Sequence, residues 1–128
     1  MNILFLEDNE EFAEALMIIL ESLNHRADLT ASVNEAIRLF SLNAYDAVIT
    51  DIHLKGEDQK TSSGFELVKT IRHKRKSNVV IAATSGLELL EEQQIKKRGV
   101  DIFYHKPVHI GLKQFINEIE KLVSERKG

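Results

Sequence analysis

A short apolar run that ends in a carboxylate constrains this chain more than any other feature. Residues 46–51 read Asp-Ala-Val-Ile-Thr-Asp, with the apolar residues in the middle. A continuous run of this kind is typical of a strand that is buried on both faces inside a parallel sheet. Asp51 would then lie at the carboxyl end of that strand, the edge of an open α/β sheet at which ligands bind. We therefore predict that Asp51 is the reactive centre of the protein.

Further segments with strand character alternate with amphipathic helical segments along the chain. The predicted strands are residues 3–6, 26–30, 46–51, 79–83 and 101–104. A helical pattern follows each strand, the fourth from about Leu87 to Arg98. Such alternation implies right-handed crossovers and a doubly wound α/β fold with helices on both faces of a parallel sheet. At 128 residues, we expect a single domain over residues 1–128.

Local signals predict how several of these helices begin and end. Ser32 followed by Glu35 fits a capping box, in which each residue binds a backbone N–H near the helix start. The basic run Arg72–Lys76 is expected to be a solvated helix end. The last residues, Ser124–Gly128, are expected to fray.

Composition and charge exclude several functional classes. The chain has no cysteine, which rules out disulfides, thiolate metal sites and cysteine nucleophiles. Its formal net charge is -3, so we expect no direct binding to nucleic acid. No basic region precedes the first apolar run, and no apolar run approaches the roughly 20 residues that span a bilayer. We expect a cytoplasmic protein without membrane contact.

Polar side chains of complementary type lie at the carboxyl ends of four predicted strands. Glu7 and Asp8 follow the first strand, Asp51 ends the third, Thr84 follows the fourth and Lys106 the fifth. Two like charges about 4 Å apart repel by roughly 4 kcal/mol at an effective dielectric near 20, so the carboxylates need cations. We expect Lys106 to supply one and a hard divalent ion, Mg²⁺, to supply the other. Such a site can hold a phosphoryl group that Asp51 attacks in line.

Five short motifs follow one another along the chain: ILFLEDN at residues 3–9, DAVITDIHL at 46–54, GFEL at 64–67, ATS at 83–85 and KP at 106–107. Together they resemble the receiver domain of bacterial two-component response regulators of the chemotaxis-regulator type. The resemblance implies a flavodoxin-like fold, with a five-stranded parallel sheet of order 2-1-3-4-5 and five helices in three α/β/α layers. It also implies a phosphoaspartate that forms from a partner's phosphohistidine.

The resemblance implies a role for each residue around the metal. Asp51 would be the phosphoacceptor and a metal ligand. Asp8 would bind Mg²⁺ directly, and Glu7 would bind it mainly through water. The backbone carbonyl of His53 would be the third protein oxygen on the metal.

The resemblance also implies a conformational switch. Thr84 would hydrogen-bond the phosphoryl group and Lys106 would pair with it. Phe103, three residues before the lysine, falls at the family's aromatic switch position, for which Tyr104 competes. The Lys106-Pro107 peptide bond would be cis, as it usually is in this family.

One stretch departs from the family pattern. Receivers often have a proline and a glycine soon after the acceptor, whereas Lys55 stands at the proline position here and Gly64 arrives about five residues late. The loop over the site, residues 55–63, is therefore longer and more polar than usual. We expect this loop to control which donor reaches Asp51.

The resemblance implies a signalling function and not enzymatic turnover, with at most self-phosphorylation and self-dephosphorylation. The expected partners are a sensor histidine kinase or histidine phosphotransferase and an unknown downstream protein target. The chain would act as a monomer or as a phosphorylation-dependent dimer. Two alternatives stay open. One is a Mg²⁺-dependent phosphatase with an aspartate nucleophile. His53 counts against it, because such enzymes need a second acid two residues after the nucleophile. The other alternative is a receiver-like interaction module that is never phosphorylated.

Overall fold

The computed structural model describes residues 1–54, 63–75, 78–86, 92–106 and 111–127. The strands are β1 (Asn2–Leu6), β2 (Arg26–Thr30), β3 (Ala47–Asp51), β4 (Val80–Ser85) and β5 (Ile102–His105). They form one sheet in the order β2-β1-β3-β4-β5, and every neighbouring pair is parallel. The predicted flavodoxin-like topology is confirmed.

Helices cover both faces of the sheet and enclose a separate core on each. They are α1 (Glu10–Ser22), α2 (Val33–Leu42), α3 (Ser63–Arg75), α4 (Glu92–Lys97) and α5 (Leu112–Lys127). The core on one face holds buried residues of α2, α3 and α4, and the core on the other face holds those of α1 and α5. Among the described residues, no helix is both long and apolar enough to cross a membrane.

The central strand β3 contributes to both cores, which explains its continuous apolar run. All five of its residues are buried. Val48 packs into the core beneath α2 and α3, whereas the next residue, Ile49, packs into the core beneath α1 and α5. Alternate side chains of a strand point to opposite faces, so a strand covered on both sides needs apolar residues at consecutive positions.

The last two strands extend further than predicted. Strand β4 includes Thr84 and Ser85, and β5 includes His105. Thr84 pairs in register with Asp51 of the neighbouring strand. These residues belong to the strands although their side chains are polar, because their backbone groups complete the hydrogen-bond ladder of the sheet. The fourth helix is described over Glu92–Lys97, and the preceding residues of its predicted span lie outside the described residues.

Only half of the predicted capping box at α2 forms. The side chain of Ser32 accepts a hydrogen bond from the Glu35 N–H at 3.3 Å. The Glu35 carboxylate, however, binds the Arg38 guanidinium, with Oε1 2.5 Å from Nη2, and the Ser32 N–H is satisfied by Thr30 Oγ1 at 3.1 Å. A charged partner one turn away provides Glu35 with stronger hydrogen bonds than a backbone N–H does.

A partly buried ion-pair cluster contradicts two expectations about the helix ends. Arg72, expected to be solvated, is half-buried; it donates to the Gly99 carbonyl at 2.9 Å and to Asp101 Oδ2 at 2.9 Å. Arg126, expected to fray, binds the other oxygen of Asp101 at 2.5 Å and the Asn78 carbonyl at 2.7 Å. The two arginines hold α3 and α5 to the end of the sheet opposite Asp51. A guanidinium has enough donors to bind a carboxylate and carbonyls together.

Candidate phosphoacceptor site

The polar residues predicted to converge do lie together at the carboxyl edge of the sheet. Glu7 and Asp8 immediately follow β1, and Asp51 is the last residue of β3. One carboxylate oxygen of each of these three residues lies within 4.8 Å of the others. The parallel topology produces this cluster, because it places the carboxyl ends of adjacent strands side by side.

Lys106 supplies the cation that the acidic cluster needs. Its ammonium lies 2.5 Å from Glu7 Oε1 and 3.2 Å from Asp51 Oδ2. Its backbone N–H donates to the Ser85 carbonyl at 2.7 Å, which anchors the residue to the end of β4. The ammonium also lies 4.8 Å from the centre of the Phe12 ring, a favourable cation–π distance.

Asp51 is a buried carboxylate with an unusual affinity for protons. Only 4% of its surface is exposed, and its Oδ1 accepts the His53 N–H at 3.1 Å. Burial, together with the charge of Glu7, raises the pKa of Asp51 to about 7, although Lys106 opposes the shift. Removal from water and a neighbouring like charge both disfavour the ionised form. A divalent cation beside Asp51, in addition to Lys106, would favour the ionised form of the carboxylate.

This raised pKa predicts a stability that depends on pH. The folded form holds the Asp51 proton more tightly than the unfolded chain does, so the stabilisation is complete below about pH 4 and is lost as the pH rises through about 7. Replacement by asparagine removes the disfavoured charge. We expect Asp51→Asn to raise the free energy of unfolding without Mg²⁺ at pH 8 by about 2 kcal/mol, since one pKa unit corresponds to about 1.4 kcal/mol.

Urea denaturation at pH 5 and at pH 8 measures the effect. The gain should be largest at pH 8 and clearly smaller at pH 5, where Asp51 is protonated in the folded wild type and only the unfolded chain carries its charge. An equal gain at both pH values would mean that charge is not its cause.

Glu7 is held in the cluster by the start of α1. The residue is 2% exposed, and its Oε2 accepts the Asn9 N–H at 3.1 Å. Asn9 in turn caps α1 by accepting the Phe12 N–H at 2.9 Å. The turn between β1 and α1 therefore orients the Glu7 carboxylate. Asn9 was not predicted to support the site, although its position as a helix cap is a recognisable signal.

The two residues predicted to form the switch lie on neighbouring strands. Thr84 is fully buried beside Asp51 in register, and its hydroxyl makes no hydrogen bond within the described part of the chain. Phe103 is 3% exposed, and its ring lies edge-on to His105 at 5.0 Å. Tyr104, its competitor, donates a hydrogen bond to Glu118 on α5. The switch role of Thr84 and Phe103 stays a prediction.

His53 lies between the acceptor and helix α3. It is buried, 8% exposed, and lines the cleft, and its ring lies edge-on to that of Phe65 at 6.4 Å. Its predicted role as a carbonyl ligand of the metal stays a prediction. The predicted cis Lys106-Pro107 bond and the loop of residues 55–62 lie outside the described residues.

Gly64, which comes about five residues later than in the family pattern, packs directly against the backbone of Asp51 and Ile52. A Cβ atom at this position would lie 2.2 Å from the Asp51 carbonyl oxygen and 2.6 Å from Ile52 Cα. The Gly64 N–H donates to the Ile52 carbonyl at 3.3 Å. The start of α3 therefore lies against the end of β3, at a distance that only glycine permits.

A cleft of about 760 Å³ opens above the carboxylates. Its lining residues are Asp8, Asn9, Glu10, Glu11, Asp51, His53, Gly86 and Lys106. The three converging carboxylates offer only oxygen ligands, which are the ligands that Mg²⁺ prefers. One lysine balances three acidic side chains, so the site retains an excess of negative charge that suits a divalent ion.

Comparison with known proteins agrees with this geometry. A family model described as the response regulator receiver domain matches residues 3–119. The sensor histidine kinase AtsR of Burkholderia thailandensis is 30% identical over 113 residues, which are 86% of this chain and 18% of the kinase. The chain therefore spans less than a fifth of that curated relative.

Solved structures share the fold over nearly the whole chain. A CheY-like response regulator receiver domain from Methylobacillus flagellatus is 30% identical with a TM-score of 0.72, and the match covers 93% of this chain and 98% of that one. The receiver domain of sensor histidine kinase PA1611 from Pseudomonas aeruginosa, crystallised with magnesium in its active-site cleft, is 23% identical with a TM-score of 0.78, covering 96% and 97%.

A parallel sheet of this order with an acidic cluster and a lysine at its carboxyl edge defines a class of phosphoryl-accepting signalling domain. The chain belongs to the response regulator receiver domain family of two-component systems.

Proposed function

We propose that Asp51 accepts a phosphoryl group from a phosphohistidine and that phosphorylation alters a partner-binding surface of the domain. The observation that carries this proposal is the arrangement around Asp51, in which Lys106 contacts both Asp51 and Glu7 beside the open cleft. The donor would be a sensor histidine kinase or a histidine phosphotransferase in the cytoplasm. Residues 1–128 would act as one domain.

In the proposed transfer, the ionised Asp51 carboxylate attacks phosphorus in line with the donor nitrogen. A P–O bond to Asp51 forms as the P–N bond breaks, and the imidazole leaves with the bonding electron pair. The ammonium of Lys106, already 3.2 Å from Asp51 Oδ2, would follow the transferred group and neutralise one of its oxygens. Thr84, which is fully buried and pairs in register with Asp51, would donate a hydrogen bond to another phosphoryl oxygen.

The residues present fit a magnesium ion. Asp8, Asp51 and the His53 carbonyl would hold it, and Glu7 would act mainly through water. The bound ion supplies charge neutralisation for the phosphoryl oxygens. The carboxylate geometry supports this assignment, and so does the magnesium in the PA1611 receiver cleft.

The transferred charge would act through a shift between two conformations. A phosphoryl group adds negative charge to a site that already holds three carboxylates, so Lys106 and Thr84 would rearrange around it. Phe103 would then change its packing, and the surface of α4, β5 and α5 would bind the downstream protein. The domain would turn over no external substrate, and would be a monomer or a phosphorylation-dependent dimer.

The test is incorporation of phosphate at Asp51. With Mg²⁺ and acetyl phosphate, intact mass spectrometry should show one added phosphoryl group, and beryllofluoride should shift the NMR signals of Asp51 and its neighbours. Asp51→Asn should lose both responses, whereas Asp28→Asn, the same change on edge strand β2, should keep them. Equal incorporation into Asp51→Asn would overturn the assignment. Sustained turnover of a generic phosphomonoester would favour the phosphatase alternative.

A further inference from the structure

A basic groove lies between α3 and the end of α4, beside the acceptor cleft. The groove has a volume of about 520 Å³ and is lined by Phe65, Glu66, Lys69, Arg72, His73 and Arg98. Three of these side chains are permanent cations, one is a histidine and only one is acidic. The chain as a whole carries a net charge of -3, so the groove is a local positive region on an acidic protein.

Two of the groove's cations are available to a ligand. Arg72 is engaged by Asp101 at 2.9 Å and forms a fixed wall of the groove. Lys69 and Arg98 are exposed, and neither forms a salt bridge within the described part of the chain. Two exposed cations that line the same groove as Arg72 are complementary in charge to an external anionic partner.

An aromatic ring connects this groove to the acceptor site. The Arg98 guanidinium lies 4.3 Å from the centre of the Phe65 ring, a distance at which cation–π attraction orients both groups. The Phe65 ring also lies edge-on to the His53 ring, with the ring centres 6.4 Å apart. His53 in turn donates its N–H to Asp51 at 3.1 Å. Phe65 therefore contacts both the groove and the segment that follows the acceptor.

We propose that this groove docks an acidic segment of a protein partner, and that Phe65 links its occupancy to the state of Asp51. Carboxylates of the segment would pair with Lys69 and Arg98, and an apolar side chain would pack on the exposed part of Phe65. The negative net charge argues against a nucleic acid as the occupant, since a long polyanion would be repelled by the rest of the surface. Docking of the segment does not depend on the function proposed above, whereas the link between docking and the state of Asp51 rests on that function.

The docking test uses a fluorescein-labelled peptide of six glutamates and two leucines. Fluorescence anisotropy should show saturable binding, and Lys69→Glu combined with Arg98→Glu should weaken it by about tenfold, as loss of charge-assisted contacts implies. The control combines Lys113→Glu with Lys121→Glu, exposed positions of α5 on the opposite face of the sheet. It makes the same change in net charge and should alter the affinity less than twofold.

Three outcomes would overturn docking of an acidic segment. They are the absence of saturable binding, an equal loss of affinity in the α5 control, and tighter binding of a single-stranded oligonucleotide to the same groove. The matched control separates a specific groove from general attraction to positive charge.

The link to Asp51 is tested by repeating the peptide titration with Mg²⁺ and beryllofluoride. The affinity should change severalfold in the wild type and stay constant in Phe65→Leu, which keeps the apolar packing but removes the aromatic contacts. NMR shifts at Asp51 report separately whether beryllofluoride binds. Beryllofluoride binding without any change in peptide affinity overturns the link, whereas failure of beryllofluoride to bind overturns the proposed function instead.

Discussion

Gly64→Ala should lower the free energy of unfolding by about 3 kcal/mol, the upper range for overpacking of a close contact. The added Cβ would lie 2.2 Å from the Asp51 carbonyl oxygen and 2.8 Å from that of Ile52. Both neighbours are backbone atoms of the segment that leaves β3, so no side chain can rotate away to make room. The start of α3 and the end of β3 would have to separate. Urea denaturation measures the loss of stability.

The same separation should disturb the acceptor. We expect NMR shifts of the backbone amides from Asp51 to His53 and weaker binding of Mg²⁺ in Gly64→Ala. The matched control for stability is Gly86→Ala, because a Cβ there would meet no atom within 4 Å. The free energy of unfolding of this variant should change by less than about 0.5 kcal/mol, as is usual for open surface positions. Equal effects of the two substitutions would mean that contact with β3 is not the reason for glycine at position 64.

Lys106→Met should be similarly destabilising at pH 8 in the absence of Mg²⁺. Loss of one partner from a buried ion pair costs about 3–5 kcal/mol, because the remaining charge is left uncompensated. The Glu7 side chain is fully buried, and its Oε1 lies 2.5 Å from the lysine ammonium. Asp51, the second partner, lies 3.2 Å away. Methionine preserves most of the apolar stem of lysine, so the lost stability reports mainly on the charge.

Three measurements identify the origin of the Lys106→Met effect. The loss should shrink at pH 5, where Asp51 holds a proton because its pKa is about 7, and also with added Mg²⁺, which replaces the missing cation. A second substitution, Asp51→Asn, should recover part of the stability in a double-mutant cycle. Lys121→Met, at an exposed position of α5, should have little effect. A loss independent of pH, Mg²⁺ and Asp51 would contradict the electrostatic explanation.

The groove and the cleft are joined through one short segment. Gly64 contacts the backbone after Asp51, and Phe65, the next residue, contacts both His53 and Arg98. The first turn of α3 is therefore the element most directly placed to pass a change at Asp51 to the surface between α3 and α4. A packed contact of this kind transmits small shifts because the surrounding interior resists compression.

Much of the site was predictable because the strands and their ends are visible in local sequence patterns, whereas the strand order followed from the resemblance to receiver domains. The consecutive apolar residues of β3 identify a strand between two helical layers, and Asp51 is the polar residue that ends it. Glu7 and Lys106 end other apolar strands, so the parallel topology alone implies that the three meet. Burial of both faces of a sheet requires a periodicity that is visible without coordinates.

The contacts that could not be predicted from the sequence are those of charged side chains, because each such side chain has several possible partners. Glu35 fits a capping box but binds Arg38. Arg72 and Arg126 belong to basic stretches that are typical of solvent, yet both converge on Asp101 from helices on opposite faces of the sheet. Charged side chains are long, and several partners satisfy them about equally well, so their choice depends on the packed backbone around them.

The sequence by itself determined the alternation of strands and helices and the polar residues that end the strands, since each follows from apolar periodicity. Its resemblance to receiver domains predicted the strand order and Asp51 as the acceptor. Only the tertiary structure decided that Lys106 lies nearer to Glu7 than to Asp51, and that Gly64 seats α3 against the acceptor strand despite the long loop before it. Those features are distances between segments that are remote along the chain. They depend on packing between elements, which periodicity does not encode.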